Sequence, residues 1–125
     1  MNLNQVTIPT TNMPKSVDFY TQLGLTLIVD SIPRYCRFIC PDGTSTLSLH
    51  EADKTSTDNG IVLYFECKDL DNTIQDLKTK GCVFETEATD QSWLWREASI
   101  LDPDGHKIIL FYAGENRINP PWKVK

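Results

Sequence analysis

Two side chains in this sequence could serve acid–base chemistry from within a strand-like run. They are His50, closing Leu47-Ser48-Leu49-His50, and Glu66, near the end of Ile61 to Cys67. An imidazole so placed serves as a general base, a metal ligand or a hydrogen-bonded wall residue. A carboxylate on a strand whose other side is apolar is costly unless paired, and its pKa responds strongly to its surroundings. Glu66 is therefore a candidate acid or base, with Arg34, Arg37 and Arg96 as possible partners and Glu51 as the competing acid. A third kind of chemistry is written in Trp93-Leu94-Trp95-Arg96-Glu97. Alternation puts Trp93, Trp95 and Glu97 on one face, a stacking wall for a planar or cationic molecule to which Tyr64 and Phe111 add. The same tryptophans are equally suited to packing within a sheet or a dimer contact.

The elements that must position these residues are announced by a repeat. Asn12-Met13-Pro14 leads through Val17 and Tyr20 to Gly24, and Asp69-Leu70-Asp71 leads through Ile74 and Leu77 to Gly81, every landmark displaced by the same number of positions. Asn or Asp before an apolar run can accept from the first free helix N–H groups, and glycine ends the run, so each copy predicts one capped helix with a single apolar stripe. Pro14 falls in the first turn, where its missing N–H costs nothing.

Around each helix lie four strand-like runs: Gln5 to Pro9, Leu25 to Asp30, Tyr35 to Cys40 and Thr46 to His50, then Ile61 to Cys67, Val83 to Thr86, Trp93 to Leu101 and Lys107 to Tyr112. The unit is βαβββ, stated twice, with Pro41-Asp42-Gly43 and Pro103-Asp104-Gly105 turning the chain before each last strand. Ser56 to Gly60 links the halves. The predicted fold class is α+β, a single domain built of module one (3–52), module two (60–113) and a tail (114–125). Two prolines in Asn119-Pro120-Pro121-Trp122 exclude a helix there, and the tail is expected to cross a neighbouring subunit or the mouth of a cup.

Period-two alternation sorts the strand residues. Val6, Ile8, Leu47 and Leu49, like Leu63, Phe65, Ile108 and Leu110, face a helix. Gln5, Thr7, Ser48, His50, Val62, Tyr64, Glu66, Ile109 and Phe111 face the other way and would line a cup if the sheets curve together. With Arg37, Trp93, Trp95 and Glu97 they make up the candidate ligand-binding surface.

Composition limits the partners. With 125 residues, 40% of them hydrophobic, the chain can fill one core without disulfide or metal. The four cysteines, Cys36, Cys40, Cys67 and Cys82, lie in strand-like runs without CxxC spacing and read as reduced thiols of a cytoplasmic protein. The opening Met1-Asn2-Leu3-Asn4-Gln5 has no signal-peptide character, and no run approaches a membrane span. A net charge of −5 without a basic block argues against nucleic acid. A small molecule is the expected partner.

Paired βαβββ modules, Ser16-Val17-Asp18-Phe19-Tyr20 before Leu23-Gly24-Leu25, Asp69-Leu70-Asp71, and Asp102-Pro103-Asp104-Gly105-His106-Lys107-Ile108 together resemble the vicinal oxygen chelate superfamily over roughly residues 3 to 113. That superfamily contains glyoxalase I, bleomycin and fosfomycin resistance proteins, methylmalonyl-CoA epimerase and extradiol dioxygenases. Trp93 to Ala98 is similar to the pattern that bleomycin-resistance-type members carry before their Asp-Pro-Asp-Gly. The resemblance implies a curved mixed sheet forming a cup, with four metal-ligand positions that fall here on Gln5, Ser48, Val62 and Ile109. Valine and isoleucine have no lone pair to offer, and catalytic metals need about three protein ligands.

Three readings stand. The leading one is a homodimer that binds a small organic molecule in an aromatic cup without metal or other cofactor, for sequestration, resistance-like protection, or metal-free chemistry by Glu66 with His50. The second is a divalent-metal-dependent lyase, isomerase or dioxygenase using Gln5, His50 and Glu66 in an altered site. The third is a non-catalytic dimeric interaction module.

Overall fold

The computed structural model describes residues 1–55 and 59–125, so most of the expected link at 56–60 lies outside the described residues. The chain forms two compact units, Met1–Asn59 with Asp102–Gly105, and Gly60–Leu101 with His106–Lys125.

The first unit holds β1 (Gln5–Thr10), α1 (Met13–Gln22), β2 (Thr26–Ser31), β3 (Tyr35–Ile39) and β4 (Thr46–Glu51). Its sheet runs β1-β4-β3-β2, with β1 parallel to β4 and the other pairs antiparallel. Asn12 caps α1 as its sequence position implies, accepting from the Lys15 N–H at 3.2 Å. Tyr20, Phe38, Leu47, Leu49 and Cys36 form the centre of the core, each almost wholly buried. The turn Asp102–Gly105 belongs to this unit through hydrogen bonds. Asp104 accepts from the Thr11 N–H at 2.9 Å and from the hydroxyls of Thr11 and Ser16 at 2.6 and 3.2 Å, while the buried Tyr20 hydroxyl donates to Asp102 at 2.7 Å. Burial alone would raise the pKa of Asp104, but donors on Thr10, Thr11 and Ser16 outweigh it and hold the carboxyl below its usual range.

The second unit holds β5 (Val62–Glu66), α2 (Leu70–Thr79), β6 (Thr89–Asp90), β7 (Arg96–Leu101) and β8 (Lys107–Tyr112), with sheet order β5-β8-β7-β6 and β5 parallel to β8. Leu70, Ile74 and Leu77 are the buried stripe of α2. Asp69 makes no side-chain cap to a backbone N–H; its carboxylate accepts instead from the Asn72 side-chain amide at 2.7 Å.

The repeat is visible in the registers. Thr7 pairs with Ser48 and Tyr64 with Ile109; Pro9 pairs with His50 and Glu66 with Phe111. Two strands differ from expectation. Val83 to Thr86 is no strand and contributes only an isolated bridge from Phe84 to Ile100; the edge is the short β6 instead. Trp93 to Leu101 is strand only from Arg96, because the chain turns at residues 92–94 and Leu94 takes the left-handed φ of 67°. Trp93 therefore sits half-exposed in that turn rather than alternating with Trp95 and Glu97.

Candidate functional site

Each sheet turns one face to its helix and leaves the other for side chains that do not belong to the helix-facing core. In the first unit that open face is polar. The Gln5 amide donates to Ser48 Oγ at 2.9 Å, to Thr7 Oγ1 at 3.2 Å and to the Val6 carbonyl at 3.0 Å, while its own carbonyl oxygen accepts from the Thr46 hydroxyl. Tyr35 and Ser48 hydroxyls lie 2.6 Å apart, and the Arg37 Nε–H points at both, 3.0 Å from Tyr35 and 3.4 Å from Ser48. The Arg37 guanidinium also stands 5.6 Å from the Tyr35 ring centre. The hydrogen bond with Ser48 is the largest influence on Tyr35; it and the Arg37 contact prevail over the raising effect of burial and hold the phenol below its ordinary pKa. His50 is exposed at the end of β4, its Nδ1 3.3 Å from the Glu51 carbonyl.

In the second unit the open face is aromatic. Trp95 stacks on Phe111 with centroids 4.6 Å apart and planes at 17°, and Tyr64 meets both edge-on at 6.0 and 5.7 Å. Ile109, Phe111 and Ala113 are buried there, with Val62 packed alongside. Beside this cluster opens a shallow cavity of ≈ 220 Å³ lined by Thr86, Gln91, Glu97, Ser99, Lys107 and Ile109. Tyr64, half exposed, is the accessible edge of the aromatic wall.

Glu66 stands at the end of that wall, and none of the three expected arginines is its partner. Its Oε2 accepts the backbone N–H groups of Ala113 and Gly114 at 2.9 and 3.0 Å, and Arg117 Nε lies 3.4 Å from Oε1. The carboxylate thus binds the start of a short 3-10 helix, Gly114–Arg117, which precedes the prolines and forms the first part of the tail. Gly114 is required at this turn: its φ is 56°, and an added Cβ would lie 3.0 Å from the Tyr112 hydroxyl oxygen. Asn116 accepts from the Trp95 indole N–H at 3.4 Å, so the tail begins on the aromatic face of its own unit. Arg96 instead pairs with Asp71 and Asp90 at 3.0 and 3.1 Å. Arg37 remains with Tyr35 and Ser48.

Sequence reasoning missed Tyr35, Asn116 and Arg117. Tyr35 could have been found, since it stands two residues before Arg37 on one strand and shares its face. The tail residues left no periodic signal. None of the four cysteines is joined in a disulfide, and burial pushes Cys36, Cys40 and Cys82 upward in pKa, away from thiolate nucleophiles.

The donor set does not suit the metal that the resemblance implies. Of the four implied positions, Val62 and Ile109 belong to the apolar cluster and carry no donor atom. Gln5 spends its carbonyl oxygen on Thr46, and Ser48 lies between the Gln5 amide and the Arg37 guanidinium, whose positive charge opposes a cation.

No curated protein matches the chain. Among solved structures, a glyoxalase/bleomycin resistance protein/dioxygenase from Nocardioides is 22% identical and superposes with a TM-score of 0.78, covering 100% of this chain and 90% of that one. A bleomycin-binding protein complexed with bleomycin is 17% identical, TM-score 0.71, with 90% and 98% of the two chains covered. A lactoylglutathione lyase from Agrobacterium tumefaciens is 15% identical, TM-score 0.72, with 89% and 92% covered. These likenesses show a shared fold. Residues 2–110 match the family model of the Glyoxalase/Bleomycin resistance protein/Dioxygenase superfamily, and the chain belongs to that superfamily.

Proposed function

We propose that this protein binds a small organic molecule against the aromatic face of its second unit and does so without a metal cofactor, in a sequestering or resistance-like role. The observation that carries the reading is the fate of the four family ligand positions. Two are hydrogen-bonded into a donor-rich network and two are aliphatic. The stacked pair Trp95 and Phe111, edged by Tyr64 and flanked by a cavity with Glu97 and Lys107 on its lining, suits a planar molecule carrying polar substituents. The bleomycin-binding protein of the same fold supports binding over turnover as the first hypothesis. Metal-free catalysis by Glu66 is less well supported, since both its oxygens are occupied by the tail. The homodimer and the cytoplasmic setting belong to the same proposal, the latter favoured by four cysteines that form no disulfide.

The test is elemental analysis of untagged protein purified without chelators, then titration with Zn²⁺, Ni²⁺, Mn²⁺ and Fe²⁺, alongside a fluorescence screen of planar organic molecules. Expected are no stoichiometric metal and a saturable change in tryptophan emission that Trp95→Ala weakens by about 1–3 kcal/mol. Stoichiometric metal, lost in His50→Ala or Glu66→Gln, would establish the metalloenzyme reading instead. Unchanged binding in Trp95→Ala would remove the aromatic wall from the site.

A further inference from the structure

The network on the first unit's open face can be read proton by proton. The Gln5 amide nitrogen lies 3.0 Å from the Val6 carbonyl, which only an NH₂ group can face, so its orientation is fixed and Gln5 offers Ser48 a donor. Arg37 Nε is a donor by nature. Ser48 is fully buried, and the acceptor among its three side-chain neighbours is the Tyr35 oxygen, 2.6 Å away. Ser48 therefore donates to Tyr35, and Tyr35 also accepts from Arg37 Nε. With both approaches to its oxygen taken by donors, the phenol's own proton is directed away from the network. Among the described residues Arg37 forms no ion pair with any carboxylate, in a chain of net charge −5. Thr7, exposed and already accepting from Gln5, retains its hydroxyl proton for a further partner.

The two metal-ligand positions that the resemblance implies on this unit, Gln5 and Ser48, thus lie beside a guanidinium and outward hydroxyls. We propose that this face is an oxyanion site, at which Arg37, Tyr35 and Thr7 receive a carboxylate or phosphoryl group of a small molecule. A guanidinium with free terminal N–H groups matches the two oxygens of either anion in a way a point charge does not. Half-burial strengthens the interaction relative to open solvent. A divalent cation would meet like charge there. The site goes beyond the aromatic reading of the second unit and stands or falls apart from it.

The experiment follows the backbone amide resonances of Thr7, Tyr35, Ser48 and position 37 in the full, isotope-labelled chain, with the Arg37 Nε–H added wherever Arg37 is present, during titration with sodium benzoate, phenylphosphonate and, as a cation control, benzylammonium chloride. Expected is a saturable shift with an anion, weakened roughly tenfold or more in Arg37→Gln and weakened less in Tyr35→Phe. A response to benzoate alone assigns a carboxylate, and to phenylphosphonate alone a phosphoryl group; either supports the proposal. No saturation by either anion up to about 20 mM, an equal response to benzylammonium, or unchanged anion affinity in both variants would overturn it. Tryptophan emission recorded in the same titrations reports on the second unit, so failure of one site is distinguishable from failure of the other. Should Arg37→Gln fail to fold, Tyr35→Phe with Thr7→Val gives the same decision.

Discussion

Replacing Glu66 by glutamine separates an anchoring carboxylate from a catalytic one. In the wild type one oxygen takes two backbone N–H bonds, at 2.9 and 3.0 Å, and the other faces Arg117 at 3.4 Å. Hydrogen bonds to a charged acceptor contribute about 1.5–3 kcal/mol and those to a neutral one about 0.5–1.5, so an amide oxygen in the same place forfeits about 1 kcal/mol per bond. The Arg117 pair adds little, because that guanidinium is half exposed and such pairs contribute about 0–1 kcal/mol. Allowing for the third of the Glu66 side chain that stays in water, Glu66→Gln costs about 1–2 kcal/mol. Glu66→Ala, which removes the acceptor altogether, costs about 2–3 kcal/mol. With a urea slope of about 1–2 kcal/mol/M, the glutamine variant should unfold at a midpoint lower by roughly 1 M. The assay is urea unfolding followed by tryptophan emission, with amide exchange at Ala113 and Gly114 as the local readout. Both amides should lose protection in Glu66→Gln. A variant with wild-type midpoint and wild-type protection would refute the anchoring argument, and a loss of turnover on those terms would make Glu66 an acid or base after all.

Two further outcomes follow from titrating groups in the first unit. Near-ultraviolet titration should show one phenol ionising below the ordinary value of about 10, a step absent in Tyr35→Phe and moved upward in Ser48→Ala; a wild-type curve identical to that of Tyr35→Phe would refute the network. Since the folded pKa of Tyr35 is the lower one, its ionisation adds stability only at pH above that folded value, and oxyanion binding should fall over the same rise in pH. Asp104, also depressed, acts in the acid range: its contribution is present above the unfolded value of about 3.9 and is lost as pH falls through the folded one. Asp104→Asn should therefore lower stability by about 1–2 kcal/mol at neutral pH and flatten the acid limb of a pH–stability curve, whereas parallel acid limbs would exclude the role.

What was legible beforehand is what local rules dictate. The Asn12 cap, the apolar stripes, the stops at Gly24 and Gly81 and the two-residue alternation of Gln5–Thr10 and Lys107–Tyr112 placed both helices and most strands within a residue or two, although Asp69 stands at the start of α2 without capping it. Misreading began where alternation continued past its cause. Trp93-Leu94-Trp95 has the pattern of a strand, but a turn at residues 92–94, with Leu94 at positive φ, overrides it, and no glycine or proline warns of this. The partner of Glu66 was sought among arginines because charge invites charge. Backbone N–H groups at the start of a 3-10 helix satisfied it instead, and such donors exist at every residue and so leave no mark in a sequence.

The duplicated architecture carries a polar face in one copy and an aromatic face in the other. The registers make Ser48 the counterpart of Ile109, Thr7 of Tyr64 and Tyr35 of Glu97, since Tyr35 pairs with His50 as Glu97 pairs with Phe111. The four metal-ligand positions that the resemblance implies fall two on each copy, Gln5 and Ser48 on the first and Val62 and Ile109 on the second. Once one copy carries Val62 and Ile109, the lone pairs left on the other have no metal to complete, and nothing keeps Gln5 and Ser48 from hydrogen-bonding to their own neighbours. Each face then follows its local surroundings, the first built around Arg37, Tyr35 and Ser48 and the second around the stacked Trp95 and Phe111. Val62 and Ile109, which carry no donor atom, thus release the polar residues at the corresponding positions of the first unit from any shared ligand set.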